Sequence, residues 1–239
     1  MSSAGDAVFR PVRAGNAFEE TVARLLQTVR LGIVAPGEAL PSERDLAARF
    51  SVSRDTVREA IKSLSDAGFV VSRRGRYGGT FVSEELPARG TIEGIAASDP
   101  STRAELDDAL ALRGILEVGA ARAAAARSLS AAERELLWLR LQETAGASAG
   151  DYRRLDSRLH LAIGELVGSP SFVPLLADNR TRVNELLDRI PLLEPNIVHS
   201  NRQHEAIVIA ILTGDVERAA TEMEEHLEGS AALLRGFLS

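Results

Sequence analysis

The chain has 239 residues, no cysteine, and 34 acidic against 28 basic side chains, for a net charge of −6. The lack of cysteine excludes disulfides and thiolate metal sites, and with no run of 18 apolar residues no membrane-spanning helix is expected. The charge is uneven: residues 10–83 carry twelve Lys/Arg against eight Asp/Glu, whereas residues 84–239 carry a net −9.

The length allows one or two domains, and the change of character after about residue 83 favours two. The first residues, MSSAGDAVFRPVRAG, have no apolar stretch and no signal-peptide layout, so a short mobile arm is expected. Residues 16–30 place Val22, Leu25, Leu26 and Val29 on one helical face. Pro36-Gly37 then makes a turn. Ser42 can cap a second helix, with Asp45 three positions on completing a capping box. Leu46, Ala47 and Phe50 form its inner face. Ser51-Val52-Ser53 is a turn, and Ser53 caps a third helix from Arg54 to about Asp66. Val57, Ala60, Ile61 and Leu64 face inward there, which leaves Arg54, Thr56, Arg58 and Lys62 outward. Phe69-Val70-Val71 and Thr80-Phe81-Val82 read as strands joined by the basic tip Arg73-Arg74-Gly75-Arg76-Tyr77-Gly78-Gly79.

This order is that of a winged helix-turn-helix. A helix with basic and hydroxyl residues at its start suits a major groove, and the tip arginines, Arg74 among them, can reach phosphate or a minor groove. A locally basic module can face DNA in an acidic protein. The segment resembles the GntR family of bacterial transcription regulators from about residue 16 to 82. The resemblance is carried by Pro36-Gly37, Leu40 to Ala47, Val52-Ser53-Arg54, Thr56 to Ala60, Leu64, Gly68 and Gly78 to Val82. It implies Arg44, Arg54 and Arg58 as operator contacts, Gly78 or Gly79 at the wing, a homodimer on a palindromic double-stranded operator, and a cytoplasmic location at the nucleoid.

Residues 84–101 read as a linker between a DNA-binding domain at 10–83 and a helical domain at 102–230. Thr102-x-x-Glu105 suggests a capping box at the start of the first helix, and Ser130-x-x-Glu133 a second. Further helices are expected from Asp151 to Val167, Ser171 to about Ile190, Asn196 to Leu212 and, capped by Asp215, on to about Leu227. The fold class is therefore mainly α: a winged helix-turn-helix with a small β wing, followed by an antiparallel six- to seven-helix bundle.

Asp156 and His160 are four apart on one helix and share a face. His204 and His226 lie on the last two helices, so three of the four histidines join this pattern. One carboxylate and three imidazoles suit a divalent metal, zinc first, with nickel, manganese or iron as alternatives. By spacing alone the same residues also suit core or surface positions. Residues 102–229 resemble the FCD ligand-binding domain of the FadR subgroup of the same family. The matching residues are Arg113-x-x-x-Glu117, Leu155-Asp156-x-x-x-His160, His204-x-x-Ile207, Ala210-Ile211, Gly214-Asp215, Ala219, Met223 and His226-Leu227. The resemblance implies Asp156, His160, His204 and His226 as ligands and a small organic acid as effector. Ser169 stands where the family often has asparagine.

Arg113 can pair with an acidic group of the effector, since guanidinium suits carboxylate, and it equally suits a structural salt bridge. Asn179, Arg182 and Asn201 are further pocket candidates. His199 lies about 140° around the helix from His204 and is read as non-ligating. Trp138 is read as a core or dimer-packing residue. A ligand-responsive regulator, by default a repressor, is the leading function. A regulator with the metal itself as signal is the alternative. A metal-dependent enzyme is disfavoured because neither Glu165 nor Glu205 shares a face with the ligands. An acyl-binding pocket is disfavoured because it has no use for four polar ligands.

Overall fold

The computed structural model describes residues 11–12, 14–30, 33–73, 75, 78–87 and 100–238. The N-terminal arm up to residue 10, most of the linker, and Arg74 of the wing lie outside the described residues. The described residues form two compact units. One holds those before Pro100 together with those from Gly229 onward, and the other is Pro100–Glu228.

In the first unit a 3-10 turn at Ala14–Asn16 leads into α1 (Ala17–Arg30), followed by α2 (Glu43–Phe50) and α3 (Arg54–Asp66). The apolar faces read from periodicity form its core, with Leu25, Leu26, Leu46, Phe50, Val57 and Leu64 fully buried. Ser42 caps α2 by accepting from the Asp45 amide at 3.2 Å. The Asp45 carboxylate accepts from the Ser42 hydroxyl at 2.8 Å rather than from a backbone amide. Ser51 closes α2 in the left-handed region, with φ 57°, and turns the chain sharply toward α3. Ser53 caps α3 through the Thr56 amide at 3.0 Å.

Strand β1 (Val70–Arg73) pairs antiparallel with β2 (Gly79–Val82), with Val70 opposite Val82 and Arg73 opposite Gly79. The segment 37–40 borders β2 on its other side, where the Leu40 amide donates to the Thr80 carbonyl at 2.8 Å. Arg73 lies over the Phe81 ring at 4.8 Å. The sheet thus forms the base of the wing.

The second unit is built from α4 (Pro100–Ala125), α5 (Ala131–Ala145), α6 (Tyr152–Glu165), α7 (Phe172–Leu187), α8 (Glu194–Thr213) and α9 (Val216–Leu238), the last of which runs on into the first unit. The helix α4 starts at Pro100, two residues before the expected cap at Thr102, because proline lacks the amide that a first helical residue leaves unbonded. The Ser130/Glu133 capping box of α5 is present with both reciprocal bonds. Asp215 caps α9 through the Arg218 amide at 3.2 Å.

Alanines 120, 121, 124 and 125 of α4 let neighbouring helices approach, and they pack with Leu137, Leu159, Ile163, Ile207, Ile211 and Met223 in one core. Expected to stop near Leu227, α9 instead continues to Leu238. Gly229 costs such a helix about 1 kcal/mol, less than the burial of Leu233, Leu234 and Phe237 returns.

Candidate metal centre and DNA interface

Three helices bring four side chains together. Asp156 and His160 project from α6, His204 from α8 and His226 from α9, all buried, with their ligating atoms within 4.8 Å of one another. Nε2 of His204 stands 3.3 Å from Nε2 of His160, 3.2 Å from Nε2 of His226 and 3.3 Å from Oδ1 of Asp156. A tetrahedral ion with bonds of about 2.0–2.1 Å sets its ligand atoms roughly 3.3–3.4 Å apart, so the set fits a divalent cation.

The outer nitrogens of two rings strengthen that fit. Nδ1 of His160 contacts the Glu117 carboxylate on α4. Nδ1 of His226 is 3.2 Å from Oε1 of Gln203. Both partners are acceptors, so each ring keeps its proton on Nδ1 and turns the Nε2 lone pair inward. Burial pushes the His160 imidazolium to a lower pKa despite the nearby Glu117 carboxylate. Burial, followed by the adjacent His204, pushes His226 well below the ordinary range, so that ring is neutral.

Around the candidate ligands lies a buried ionic network. Arg113 Nε donates to Glu117 Oε1 at 3.1 Å, and Arg180 donates to the same oxygen at 3.3 Å. Arg180 also bonds the Asp156 carboxylate and the Ser157 hydroxyl. Burial alone would raise both carboxyls. For Asp156 the Arg180 guanidinium, and for Glu117 His160 with Arg113 and Arg180, outweigh it and hold each well below the usual range. Two arginines face two carboxylates, so the network is neutral before any cation enters.

Of the expected pocket residues, Arg113 lies in this network, bonded to Glu117. Asn179 is buried on α7, donates to the Ala109 carbonyl at 3.0 Å, and has a buried Oδ1 with no hydrogen-bond partner. Oδ1 of the half-buried Asn201 is likewise without one. Arg182 is turned to the surface, where it pairs with Asp108 at 2.8 Å, and is not part of the buried network. His199 is outside the ligand group, and Trp138 is exposed rather than in the core. Periodicity reasoning missed Arg180 and the roles of Glu117 and Gln203. The signal for Arg180 was its place in the stripe Leu176, Arg180, Val183, Leu187, where the spacing calls for an apolar residue.

In the first unit Ser53, Arg54 and Arg58 are exposed on or just before α3, with Thr56 half-buried. Arg44 is exposed on α2 beside Asp45. Arg58 is held by Asp55 at 2.8 Å and Glu43 at 3.1 Å. Such exposed pairs are worth about 1 kcal/mol or less, so a phosphate can displace them. Gly78 and Gly79 are exposed at the wing, where the Gly78 amide donates to the Gly75 carbonyl at 2.9 Å.

A winged helix-turn-helix joined to a helical domain with a buried Asp/His cluster defines a class of DNA-binding transcription regulators. The comparisons agree: the model for bacterial regulatory proteins of the gntR family matches residues 18–82, and that for the FCD domain matches residues 108–229. A relative from Escherichia coli K12 described as "Putative L-lactate dehydrogenase operon regulatory protein" is 31% identical over 214 residues, covering 84% of this chain and 80% of its own. The HTH-type transcriptional repressor NanR of Cronobacter sakazakii is 29% identical over 225 residues, covering 91% and 85%. A solved structure described as Streptococcus agalactiae GntR covers 90% of this chain and 98% of its own, with a TM-score of 0.48 and 23% identity. The chain belongs to the GntR family of bacterial transcription regulators, with an FCD domain. The family and its relatives are regulators, not enzymes.

Proposed function

We propose that the chain is a repressor of the FadR subgroup that leaves its operator when a small organic acid binds beside a divalent metal, zinc in the first instance. One observation carries this reading: three imidazole Nε2 atoms and one carboxylate converge at ligand spacing, with two of the rings oriented by Glu117 and Gln203. The Nε2 lone pairs of His160 and His226 and the Asp156 carboxylate face one point, and a cation there offsets their mutual repulsion. When bound, the cation supplies a Lewis-acidic position for an anion.

Charge selects the effector class. The neutral network of Arg113, Arg180, Glu117 and Asp156 gains two positive charges with the cation, and a small carboxylate offsets them. The buried carbonyl oxygens of Asn179 and Asn201, without partners, supply acceptors for effector hydroxyl groups. A 2-hydroxy acid meets both demands, and one relative is named for an L-lactate dehydrogenase operon.

At the other end, Arg44, Arg54 and Arg58, with Ser53 and Thr56, read or clamp a major groove, and Arg74, Gly78 and Gly79 bring the wing to the adjacent backbone. A homodimer on a palindromic operator in the bacterial cytoplasm fits this arrangement. The test is a thermal-shift screen of small organic acids with the zinc-loaded protein, followed by release of labelled operator DNA. A 2-hydroxy acid that raises the melting temperature and releases DNA is expected. If no carboxylate moves either readout, the effector reading fails. DNA binding that follows zinc alone favours the ion as the signal.

A further inference from the structure

The last helix carries a metal-ligand candidate in one stretch and belongs to the DNA-binding unit at its end. His226 lies on α9, three residues before Gly229, and from Gly229 on the helix packs as part of the first unit. The helix is unbroken from Val216 to Leu238.

The packing of this end on α1 and the wing base is close. A Cβ on Gly229 would stand 2.7 Å from Oδ1 of Asn16, and one on Gly236 would stand 2.9 Å from the Cα of Ala23. Gly229 and Gly236 are seven apart and so share a helical face. The contact at Gly236 is with backbone, so a side chain there cannot be accommodated by a rotamer change in α1. Leu233, Leu234 and Phe237 are buried, as are Asn16 and Glu19 opposite. Phe237 meets Phe69 edge to face at 5.9 Å, and Phe69 directly precedes β1 and bonds back to the Leu64 carbonyl of α3. One helical end therefore touches both α1 and the junction between the DNA-reading helix and the wing.

We propose that residues 229–238 form the lever through which the state of His226 reaches the DNA-reading helices. The proposal rests on the metal-site reading above. A cation that fixes His226 fixes the helix carrying it, and the glycine-lined contact has no slack to absorb a shift or rotation. Because coupling between sites is reciprocal, whatever orders α1 and α3 also acts back on His226.

The experiment is amide hydrogen exchange on the full chain, with zinc alone as the probe, alongside calorimetric titration of zinc. Zinc is expected to slow exchange in residues 16–30 of the native chain by about fivefold or more, the lower bound of ordinary allosteric coupling. Gly236→Val places a branched side chain against Ala23. It should bind zinc with native affinity yet show no zinc-dependent change in residues 16–30. Phe237→Ala, a gentler change, should weaken the response, and the native chain alone decides the question if Gly236→Val does not fold. Zinc uptake without a change in residues 16–30 of the native chain, or a native response in Gly236→Val, overturns the lever. No zinc uptake by the native chain overturns the metal site and the lever with it.

Discussion

Replacing Arg180 with methionine tests whether the buried network is held by charge rather than by shape. Arg180 is the largest fully buried side chain among the described residues, and methionine retains much of its apolar stem. The guanidinium sits 3.3 Å from Glu117 Oε1 and also bonds Asp156. At an effective dielectric of about 20, one such attraction is worth about 5 kcal/mol, against which stands the cost of burying the arginine. Removing one partner leaves two buried carboxylates facing Arg113 alone, and breaking a buried pair this way costs about 3–5 kcal/mol. For a chain of this size that is a fall in melting temperature of roughly 6–20 °C. A divalent cation replaces the lost charge, and at about 1,000 times its dissociation constant it returns about 4 kcal/mol. The assay is urea unfolding with chelator and with zinc, followed by helical circular dichroism together with fluorescence of Trp138, the single tryptophan, which lies in the helical domain. Arg180→Met should be strongly destabilised in chelator and largely restored by zinc. Stability within about 1 kcal/mol of the native protein in chelator would refute the charge argument.

Three further outcomes follow from the geometry. Gly164→Val forces a side chain into Leu176 where α6 meets α7, so overpacking should cost about 1–3 kcal/mol in urea unfolding, and a neutral result would show that the contact can relax. Ser53→Ala removes the cap of α3 and should cost about 1 kcal/mol, with weaker operator binding by fluorescence anisotropy; unchanged affinity would remove Ser53 from the interface. His160 and His226 have lowered pKa values in the fold, so on acidification the unfolded chain takes up protons first. In metal-free protein their contribution is complete above about pH 6.5 and drains away below it, by at most about 1.4 kcal/mol per pH unit for each histidine. Equal stability at about pH 7 and pH 5.5 would contradict this.

Much of the architecture was legible in the chain because local physics repeats there. The caps at Ser42, Ser53, Ser130 and Asp215 need only a side chain and an amide a few residues on. The inner faces of α1 to α3 follow helical period. The candidate ligand set was legible as residue types on three helices, but the convergence of these side chains depends on packing between α6, α8 and α9. The partners of that set were hidden for the same reason. Arg180 looks like a surface charge until Glu117, 63 residues earlier, is placed beside it. Arg182, two residues on, faces the opposite way and meets Asp108 at the surface. The run of α9 beyond Leu227 was hidden because it depends on packing against α1, where Gly236 marks a close approach to Ala23, far earlier in the chain.

The most direct test of the account is metal content and affinity in the native chain and in His204→Ala. His204 stands within 3.3 Å of each of the other three ligand candidates. Elemental analysis after dialysis, with calorimetric titration of zinc, should find one ion per native chain, and His204→Ala should lose that ion while keeping its helical content. A native chain that binds no ion, or a variant that keeps it at native affinity, would contradict the claim that these four side chains form the sensing centre.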